Sequence, residues 1–383
     1  MKKDWNKYKI GDILFRVKDS FNLSELEEYK RVTVRGKGVG VSMRDTAKGL
    51  NIGTKRQFRV RSNQFLISKI DAMNGAYGII PDECDNAIIT GNFWTYNFDG
   101  NVLLKEYLHY LSIACLFTDF SKRASSGTTN RKYLDEGKFY NLEIELPSLP
   151  EQKRIVKIIK SVEAKRQNIN KLNKEQEREI KNILYSTYID IIKDAEYKPM
   201  VEVAPIIRRP VNISAEEKYP ELGIRCFGNG TFHKPALSGI EVGTKKLFQI
   251  KTGDLVFSNV FAWEGGIAVA KEEDNDRYGS HRFISCNCNL EQVKPLFLSF
   301  HFLAPKGLEE INNCSPGGAG RNKTLGLKKL EALKVPVPKI DKQRKFENLL
   351  NQFNQLKEQR EEREKELTKL IPSLLDKAFK GEL

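Results

Sequence analysis

Long apolar runs are missing from this sequence of 383 residues. No stretch approaches the roughly 18 apolar residues that a membrane-spanning helix needs. The first residues, MKKDWNKYKIGD, also lack the apolar core of a signal peptide. The sequence therefore predicts a cytoplasmic protein that makes no use of a membrane.

CxxC pairs are missing as well, although the sequence contains six cysteines. Without that spacing, neither a thioredoxin-like redox motif nor a cysteine-based zinc site is indicated. In a cytoplasmic protein, reduced and mostly buried thiols are expected instead. These cysteines are Cys84, Cys115, Cys226, Cys286, Cys288 and Cys314.

Enzyme motifs are equally scarce. The fragment GKGVG lacks the full dinucleotide-binding fingerprint, and GGAGRNKT lacks the Gly-Lys pair of a phosphate-binding loop. The sequence contains neither the Asn-Pro-Pro-aromatic motif of amino-methyltransferases nor a convincing cluster of acids with a lysine, as in nucleases. We therefore predict a chain without catalytic activity, and a stand-alone nuclease remains an alternative.

Positive charge, by contrast, is abundant. The net charge is +14 with a pI near 9.3, which indicates a polyanionic partner. Charged residues make up 30% of the sequence and hydrophobic residues 40%, as in a soluble globular protein. The length suffices for two or three domains with their own cores.

The main feature of the sequence is an internal duplication. The segment GTKRQFRVRSNQFLISKIDAMNGAYGII, residues 53–80, aligns without a gap with GTKKLFQIKTGDLVFSNVFAWEGGIAVA, residues 243–270, at an offset of 190. The alignment extends over nearly the whole chain, with the offset slipping to 191 after the segments SSGTTN and SPGGAG. We predict two recognition domains and two spacer helices with the boundaries 1–148, 149–195, 196–338 and 339–383.

Each copy begins with a part of mixed secondary structure. The segments QFRVRSNQFLISKI and LFQIKTGDLVFSNV read as strands with turns at Ser62-Asn63 and Thr252-Gly253. VLLKEYLHYLSIACLF has helical spacing instead. This mixture predicts an α+β fold, and glycines such as Gly38 and Gly228 are expected to serve turns.

Each copy ends in one long predicted helix. Pro150 and Glu151 are typical of a helix start, and no glycine or proline follows until Pro199. An apolar seam of roughly heptad spacing is predicted in both helices. Its members are Ile155, Ile158, Val162, Ile169, Leu172, Ile180 and Ile183 in the first helix, and Phe346, Leu349, Phe353, Leu356, Leu367, Leu370 and Leu374 in the second.

Pairing the two helices antiparallel is the simplest way to bury both seams. A pseudo-twofold axis would then relate the two copies, with one globular domain near each end of the helix pair. A plain structural arm, or a coiled-coil scaffold whose end domains bind proteins, are alternative interpretations of the same pattern.

The duplicated order of SSGTTNRKYL, LPSLPEQKRIV and a long charged helix resembles the specificity subunit of type I DNA restriction-modification systems. The resemblance implies two target recognition domains that each read half of a bipartite, asymmetric DNA site. It also implies that the helices set the gap and dock methyltransferase subunits, two of them being expected. Restriction subunits would join through the complex, and S-adenosylmethionine would be bound by the methyltransferase partner and not by this chain.

The duplication also sorts candidate DNA contacts. Phosphate is the same in both half-sites, so basic residues that recur at equivalent positions are predicted to contact phosphate, whereas divergent polar residues are predicted to read bases. The predicted phosphate contacts are Arg35, Lys55, Arg56, Arg61, Arg131, Arg225, Lys245, Lys246, Lys251 and Arg321. The predicted base-reading residues are Arg59, Lys69, Asn74, Asn92, Gln249, Asn259 and Arg282.

A metal site receives no support from the duplication. His281 lies close in sequence to Cys286 and Cys288, but the residue that aligns with His281 is Gly91. We therefore predict no metal in this chain.

Overall fold

The computed structural model describes residues 5–128, 131–317 and 323–383. The chain forms two units that differ from the predicted boundaries in one respect, because each unit contains parts of both long helices. Unit 1 comprises Met1–Leu172 and Glu361–Leu383, and unit 2 comprises Asn173–Arg360.

Unit 1 contains two main sheets and several short helices. Its strands are β1 (Asn6–Lys9), β2 (Leu14–Val17), β3 (Ser20–Asn22), β4 (Glu28–Arg35), β5 (Gly40–Lys48), β6 (Arg56–Arg59), β7 (Phe65–Ser68), β8 (Tyr77–Ile79), β9 (Ile88–Ile89), β10 (Phe93–Phe98), β11 (Ser125–Thr128), β12 (Arg131–Leu134) and β13 (Glu143–Leu146). Its short helices are α1 (Ile10–Ile13), α2 (Lys105–Ile113), α3 (Cys115–Arg123) and α4 (Glu136–Tyr140). The strand orders in the main sheets are β3-β6-β9-β4-β5 and β2-β10-β7-β8.

A long helix, α5 (Leu149–Ile192), leads into unit 2, which repeats the design of unit 1. Its strands are β14 (Glu196–Pro199), β15 (Ile206–Ile207), β16 (Lys218–Ile224), β17 (Thr231–Ser238), β18 (Leu247–Ile250), β19 (Leu255–Ser258), β20 (Ile267–Val269), β21 (Arg277–Ser280), β22 (Phe283–Cys286) and β23 (Lys334–Val337). Its helices are α6 (Met200–Val203), α7 (Gly239–Val242), α8 (Pro295–Leu303), α9 (Pro305–Asn313) and α10 (Leu327–Ala332), followed by the second long helix, α11 (Ile340–Lys380). The main sheets have the orders β17-β16-β21-β18 and β15-β22-β19-β20.

The predicted strands and turns are present. The segment 56–68 forms β6 and β7 around a turn in which Asn63 has φ of 67°. Its counterpart forms β18 and β19 around Gly253 with φ of 85°. Asparagine and glycine tolerate this left-handed conformation best, so turn chemistry fixes both turns locally. The two strands at each turn belong to different sheets, because β6 pairs with β3 and β9, β7 with β8 and β10, β18 with β21, and β19 with β20 and β22.

The cores of the two units each include parts of both long helices. In unit 1, Ile155 and Ile159 of α5 share a core with Leu375 and Phe379 of α11. In unit 2, Leu184 and Tyr188 of α5 lie in one core with Phe346 of α11. Within each unit the beginning of one helix therefore packs with the end of the other, which is an antiparallel pairing.

The predicted helix seams are wrong in their middle and are also out of phase near the ends, where Leu184 and Ile371 are buried in place of Ile183 and Leu370. Ile169, Leu172 and Ile183 of α5 are exposed, and so are Leu356 and Leu370 of α11. The buried positions cluster instead near the helix ends, because there the cores of α+β domains cover the helices. A heptad count cannot detect this, since it assumes that a partner helix alone covers the seam.

The predicted α+β class with paired long helices is confirmed. Among the described residues, no helix is both long enough and apolar enough to cross a membrane.

Candidate nucleic-acid interface

A hairpin tip of the same shape projects from each unit. In β4–β5 the central tip residues Lys37 and Gly38 have φ of 58° and 75°, and in β16–β17 Phe227 and Gly228 have φ of 61° and 67°. Two consecutive positive φ values are the signature of a type I′ turn, which matches the twist of the flanking strands. Gly38 and Gly228 thus serve turns, as predicted.

Each tip is hydrogen-bonded to a 3₁₀ turn of the same unit, Ala72–Asn74 in unit 1 and Ala262–Glu264 in unit 2. In unit 1, the Lys37 amide donates to the Asn74 carbonyl at 2.9 Å. In unit 2, the Phe227 amide donates to the Glu264 carbonyl at 2.8 Å, and the Gly228 amide donates to the Gly265 carbonyl at 2.9 Å. The tips therefore have fixed positions on their domains.

In each unit a further backbone hydrogen bond joins the residue that follows β7 or β19 to the residue that precedes β10 or β22. The Lys69 amide donates to the Asn92 carbonyl at 2.8 Å, and the Asn259 amide donates to the Arg282 carbonyl at 2.7 Å. We call the tip, the 3₁₀ turn and these segments together the hairpin-tip surface. It consists of Arg35, Lys37, Lys69, Asn74 and Asn92 in unit 1, and of Arg225, Phe227, Asn259, Phe261, Trp263, Arg282 and Lys323 in unit 2.

Cationic and aromatic side chains alternate on the hairpin-tip surface of unit 1. The Lys69 Nζ lies 5.7 Å from the ring centre of Trp94 and 5.9 Å from that of Tyr133. The Arg16 guanidinium stacks 4.5 Å from Trp94 and forms a 2.7 Å ion pair with Glu136. These ring contacts hold both side chains in place. The charge of Arg16 is already paired with Glu136 and only 17% of its side chain is exposed, so Lys69 is the better candidate for a contact with an anion.

The hairpin-tip surface of unit 2 has different side chains. The Lys323 Nζ lies 4.8 Å from the ring centre of Trp263 and donates to Asn312 Oδ1 at 2.7 Å. The Asn259 Oδ1 is buried and has no hydrogen-bond partner within the described residues. Arg225 stacks 4.9 Å from the Phe232 ring and donates to the Thr231 carbonyl.

The remaining predicted contact residues lie elsewhere on the units. Several of them already have intramolecular partners: Lys55 donates to the Gly49 carbonyl at 2.8 Å, Gln249 donates to Asp276 Oδ1 at 2.8 Å, Arg59 stacks 4.5 Å from the Phe21 ring, and Arg61 donates to Asn86 Oδ1. Arg56, Lys245, Lys246 and Lys251 are exposed around β6 and β18. Arg131 lies in β12, but its side chain and all of Arg321 fall outside the described residues.

Comparison with known families identifies the kind of domain to which this surface belongs. The family model for the type I restriction modification DNA specificity domain matches the chain twice, over residues 2–179 and 192–369. The chain belongs to this family.

Individual relatives are distant. A curated relative, the specificity subunit of the type I restriction enzyme HindI from Haemophilus influenzae, is 22% identical over 194 residues. That match covers 49% of this chain and 41% of the relative's length.

Solved structures show the same fold over the full length. The HsdS subunit from Thermoanaerobacter tengcongensis has a TM-score of 0.62 at 16% identity, covering 100% of this chain and 98% of that one. A chain from a structure on complex assembly and conformational transition of the type I R-M system has a TM-score of 0.70 at 18% identity, with coverage of 100% and 99%.

A buried glutamine joins each specificity domain to its long helix. The Gln152 Nε2 donates to the carbonyls of Val102 and Pro147 at 2.7 and 2.9 Å, while its Oε1 accepts from the Leu104 amide at 2.9 Å. Gln343 repeats this pattern with Gln292, Pro338 and Lys294 at 2.9, 2.7 and 2.8 Å. Sequence comparison aligned the two glutamines, but only the structure reveals that they fix the first turn of each helix on its domain.

Four cysteines of the specificity domains are buried. Cys84, Cys286, Cys288 and Cys314 are buried free thiols. Burial raises the pKa of the Cys288 thiol to about 12, so it stays protonated and unreactive. Where the structure describes the chain, no three His, Cys, Asp or Glu side chains are grouped so as to hold a metal ion.

Proposed function

We propose that this chain selects the DNA sequence on which a type I restriction-modification complex acts, with each hairpin-tip surface reading one half of a bipartite site. The observation that carries the proposal is the repetition of this surface with changed side chains. Arg35 and Arg225 recur at equivalent positions, whereas Lys69 is replaced by Asn259 and Asn92 by Arg282. Recurring cations suit phosphate, and divergent side chains suit two different sequences of bases.

The half-sites are expected to differ because the two surfaces differ. B-DNA is locally twofold symmetric, so two domains related by a pseudo-twofold axis present equivalent surfaces to successive stretches of the duplex. Unequal side chains on equivalent surfaces then give an asymmetric site with a gap of unread bases.

The long helices have two roles in this proposal. They set the gap, because the glutamine-fixed helix starts tie each domain rigidly to the helix pair. Their exposed apolar side chains, such as Ile169, Leu172 and Leu356, offer a surface to partner subunits. We propose that two methyltransferase subunits dock there, bind S-adenosylmethionine and transfer the methyl group, and that restriction subunits join the assembled complex in the cytoplasm.

Methylation mapping tests the proposal directly. The chain is co-expressed with its methyltransferase partner, and methylated adenines are mapped across the host genome. We expect an asymmetric motif of two parts separated by a fixed gap. Methylation without sequence context would contradict the proposal.

Two simpler experiments test the alternatives. If the chain is a protein-binding scaffold, the affinity of the purified chain for duplex DNA should change little with salt, whereas phosphate contacts give a steep negative slope. If it is a nuclease, plasmid should be cut by the purified chain with Mg²⁺ and no partner. We expect a steep slope and no cutting.

A further inference from the structure

Phe227 has an unusual place on the hairpin-tip surface of unit 2. Its side chain is 79% exposed, which leaves a large apolar ring in water at the end of a narrow hairpin. Its φ of 61° is a left-handed conformation that asparagine or glycine adopts with less strain than phenylalanine. Neither burial nor turn chemistry therefore accounts for an aromatic residue at this position.

The backbone that carries the ring is held firmly. Besides the two hydrogen bonds from Phe227 and Gly228 to the 3₁₀ turn, the Arg225 amide donates to the Gly230 carbonyl at 2.9 Å across the tip. A side chain on Gly265 would meet the Phe227 backbone at 3.3 Å, which shows how closely the tip lies on that turn. The ring is thus carried on a fixed backbone.

The segments next to Phe227 carry cationic and aromatic residues. Arg225 stands two residues before it, and the segment 261–264 that holds the tip carries Phe261 and Trp263, with Lys323 stacked on Trp263, as well as the acidic Glu264. Basic side chains interleaved with aromatic rings favour a nucleic acid over a protein partner, because cations attract phosphate while rings stack on bases.

Unit 1 lacks these aromatic rings at the equivalent positions. Lys37 replaces Phe227, Asp71 replaces Phe261 and Met73 replaces Trp263. The two hairpin tips have the same backbone shape, so the difference between them lies in the side chains.

We propose that Phe227 inserts its ring between adjacent base pairs of the second half-site and partly unstacks them, whereas Lys37 contacts phosphate at the first half-site. This inference rests on the proposed function of the chain in DNA recognition. Apolar side chains on rigid projections act as wedges of this kind in other DNA-binding proteins. Because pyrimidine–purine steps unstack most easily, the second half-site should contain such a step where the ring enters.

The experiment uses the full chain with its methyltransferase partner and a duplex carrying the methylation motif found by mapping. 2-Aminopurine, whose fluorescence rises when it unstacks, is placed in turn at positions of both half-sites. The methylated adenines and their neighbours are left out, because a methyltransferase flips its target base out of the stack in both half-sites. At the remaining positions, binding should raise the fluorescence at one step of the second half-site and leave the first half-site unchanged.

Three variants make the test specific. Phe227→Asn keeps a residue suited to the left-handed turn, so it should unfold at the same or a higher temperature than the parent, yet it should lose the fluorescence rise and weaken binding about tenfold or more. Phe227→Leu should keep most of the rise, because it retains an apolar wedge. Lys37→Asn, the matched control, should keep the rise while it weakens binding to specific and nonspecific DNA alike and reduces the salt dependence.

The outcomes separate this inference from the function on which it rests. If no bipartite motif emerges, the proposed function fails and the wedge fails with it. If the motif emerges but the fluorescence of no position in the second half-site depends on Phe227, only the wedge is overturned. A Phe227→Asn variant that loses its methyltransferase partner while unstacking persists would assign the ring to a protein contact.

Discussion

Single residues at equivalent positions of the two units show where chemistry is repeated and where it is changed. Arg35 ends β4, Arg225 directly follows β16, and both are exposed. Their side chains sit beside tips that are fixed by backbone hydrogen bonds. An arginine repeated in this setting is suited to a contact that does not depend on the bases.

Replacing either arginine by alanine should weaken binding to specific and nonspecific DNA alike. Each lost phosphate contact should reduce the slope of log affinity against log salt by about one. Fluorescence anisotropy at several salt concentrations measures both effects. Lys69→Ala is the contrasting variant, since it should alter base preference in the first half-site by about 1–3 kcal/mol.

If Arg35→Ala changed the preferred base and left nonspecific affinity intact, the division into recurring phosphate contacts and divergent base contacts would be wrong.

A buried polar triad in unit 2 is a second case of changed chemistry. The Tyr188 hydroxyl lies 2.6 Å from His301 Nδ1, and His301 Nε2 lies 3.3 Å from Glu310 Oε2, with the His301 side chain 1% exposed. The equivalent residues of unit 1, Phe379, Leu111 and Phe120, all belong to its apolar core. In unit 2, α5 thus contacts its domain through polar side chains. In unit 1, the equivalent part of α11 contacts its domain through apolar side chains.

Tyr188→Phe should lower the free energy of unfolding by about 1–3 kcal/mol, because it leaves a buried imidazole nitrogen without its partner. Copying all three residues of unit 1, as Tyr188→Phe with His301→Leu and Glu310→Phe, should recover most of that loss. Urea unfolding measures both variants. A single substitution without effect would show that the triad does not contribute to stability.

At the scale of elements, the sequence predicted what depends on local chemistry. Turn residues and short apolar runs predict the strands β6, β7, β18 and β19 with their turns, and the absence of glycine and proline over residues 151–198 predicts α5. That absence does not extend to α11, which contains Pro372. The order of strands in the sheets does not follow, because β9 joins β4 and β6 from distant parts of the chain. Likewise, the buried ends of α5 could not be predicted, since the domain cores that cover them form only on folding.

The candidate site was predictable in part for the same reason. The alignment of the two copies pointed to Arg35, Lys69 and their counterparts without any structure. It could not indicate that Lys37 and Phe227 lie beside them, because that neighbourhood depends on hydrogen bonds between the tip and a 3₁₀ turn some 37 residues away in sequence.

Both long helices pass from one unit to the other at defined points, between Leu172 and Asn173 in α5 and between Arg360 and Glu361 in α11. Inserting four helical residues at both points adds about 6 Å to the helix pair. The gap between half-sites should then lengthen by about one or two base pairs at ~3.4 Å each, with both half-sites unchanged. Methylation mapping measures the new gap.

A four-residue insertion after Gly100 is the matched control for this prediction. Gly100 lies in an exposed turn where an added Cβ would meet no atom within 4 Å, so the gap should stay the same. A folded double-insertion variant that kept the parental gap would show that the helices do not set the spacing.

At the scale of the whole molecule, the duplication means that both long helices of the pair come from one polypeptide. Two identical chains, each with one such helix, could form the same pairing. Ile371, Leu375 and Phe379 complete the core of unit 1. Ile180, Leu184 and Tyr188 of α5 are their equivalents at an offset of 191 and belong to the core of unit 2. A fragment of residues 1–195 loses the first set but keeps the second.

Two such fragments can complete each other's cores, so we expect a homodimer with true twofold symmetry. Two identical domains must read identical half-sites, and methylation directed by the fragment should therefore follow an interrupted palindrome. In this dimer the Tyr188 hydroxyl would replace Phe379 in an apolar core without His301, which costs about 1–3 kcal/mol. Tyr188→Phe should thus tighten the fragment dimer, measured by sedimentation, although it destabilises the full chain. Fragments that stay monomeric at micromolar concentration with either residue would contradict the equivalence of the two units.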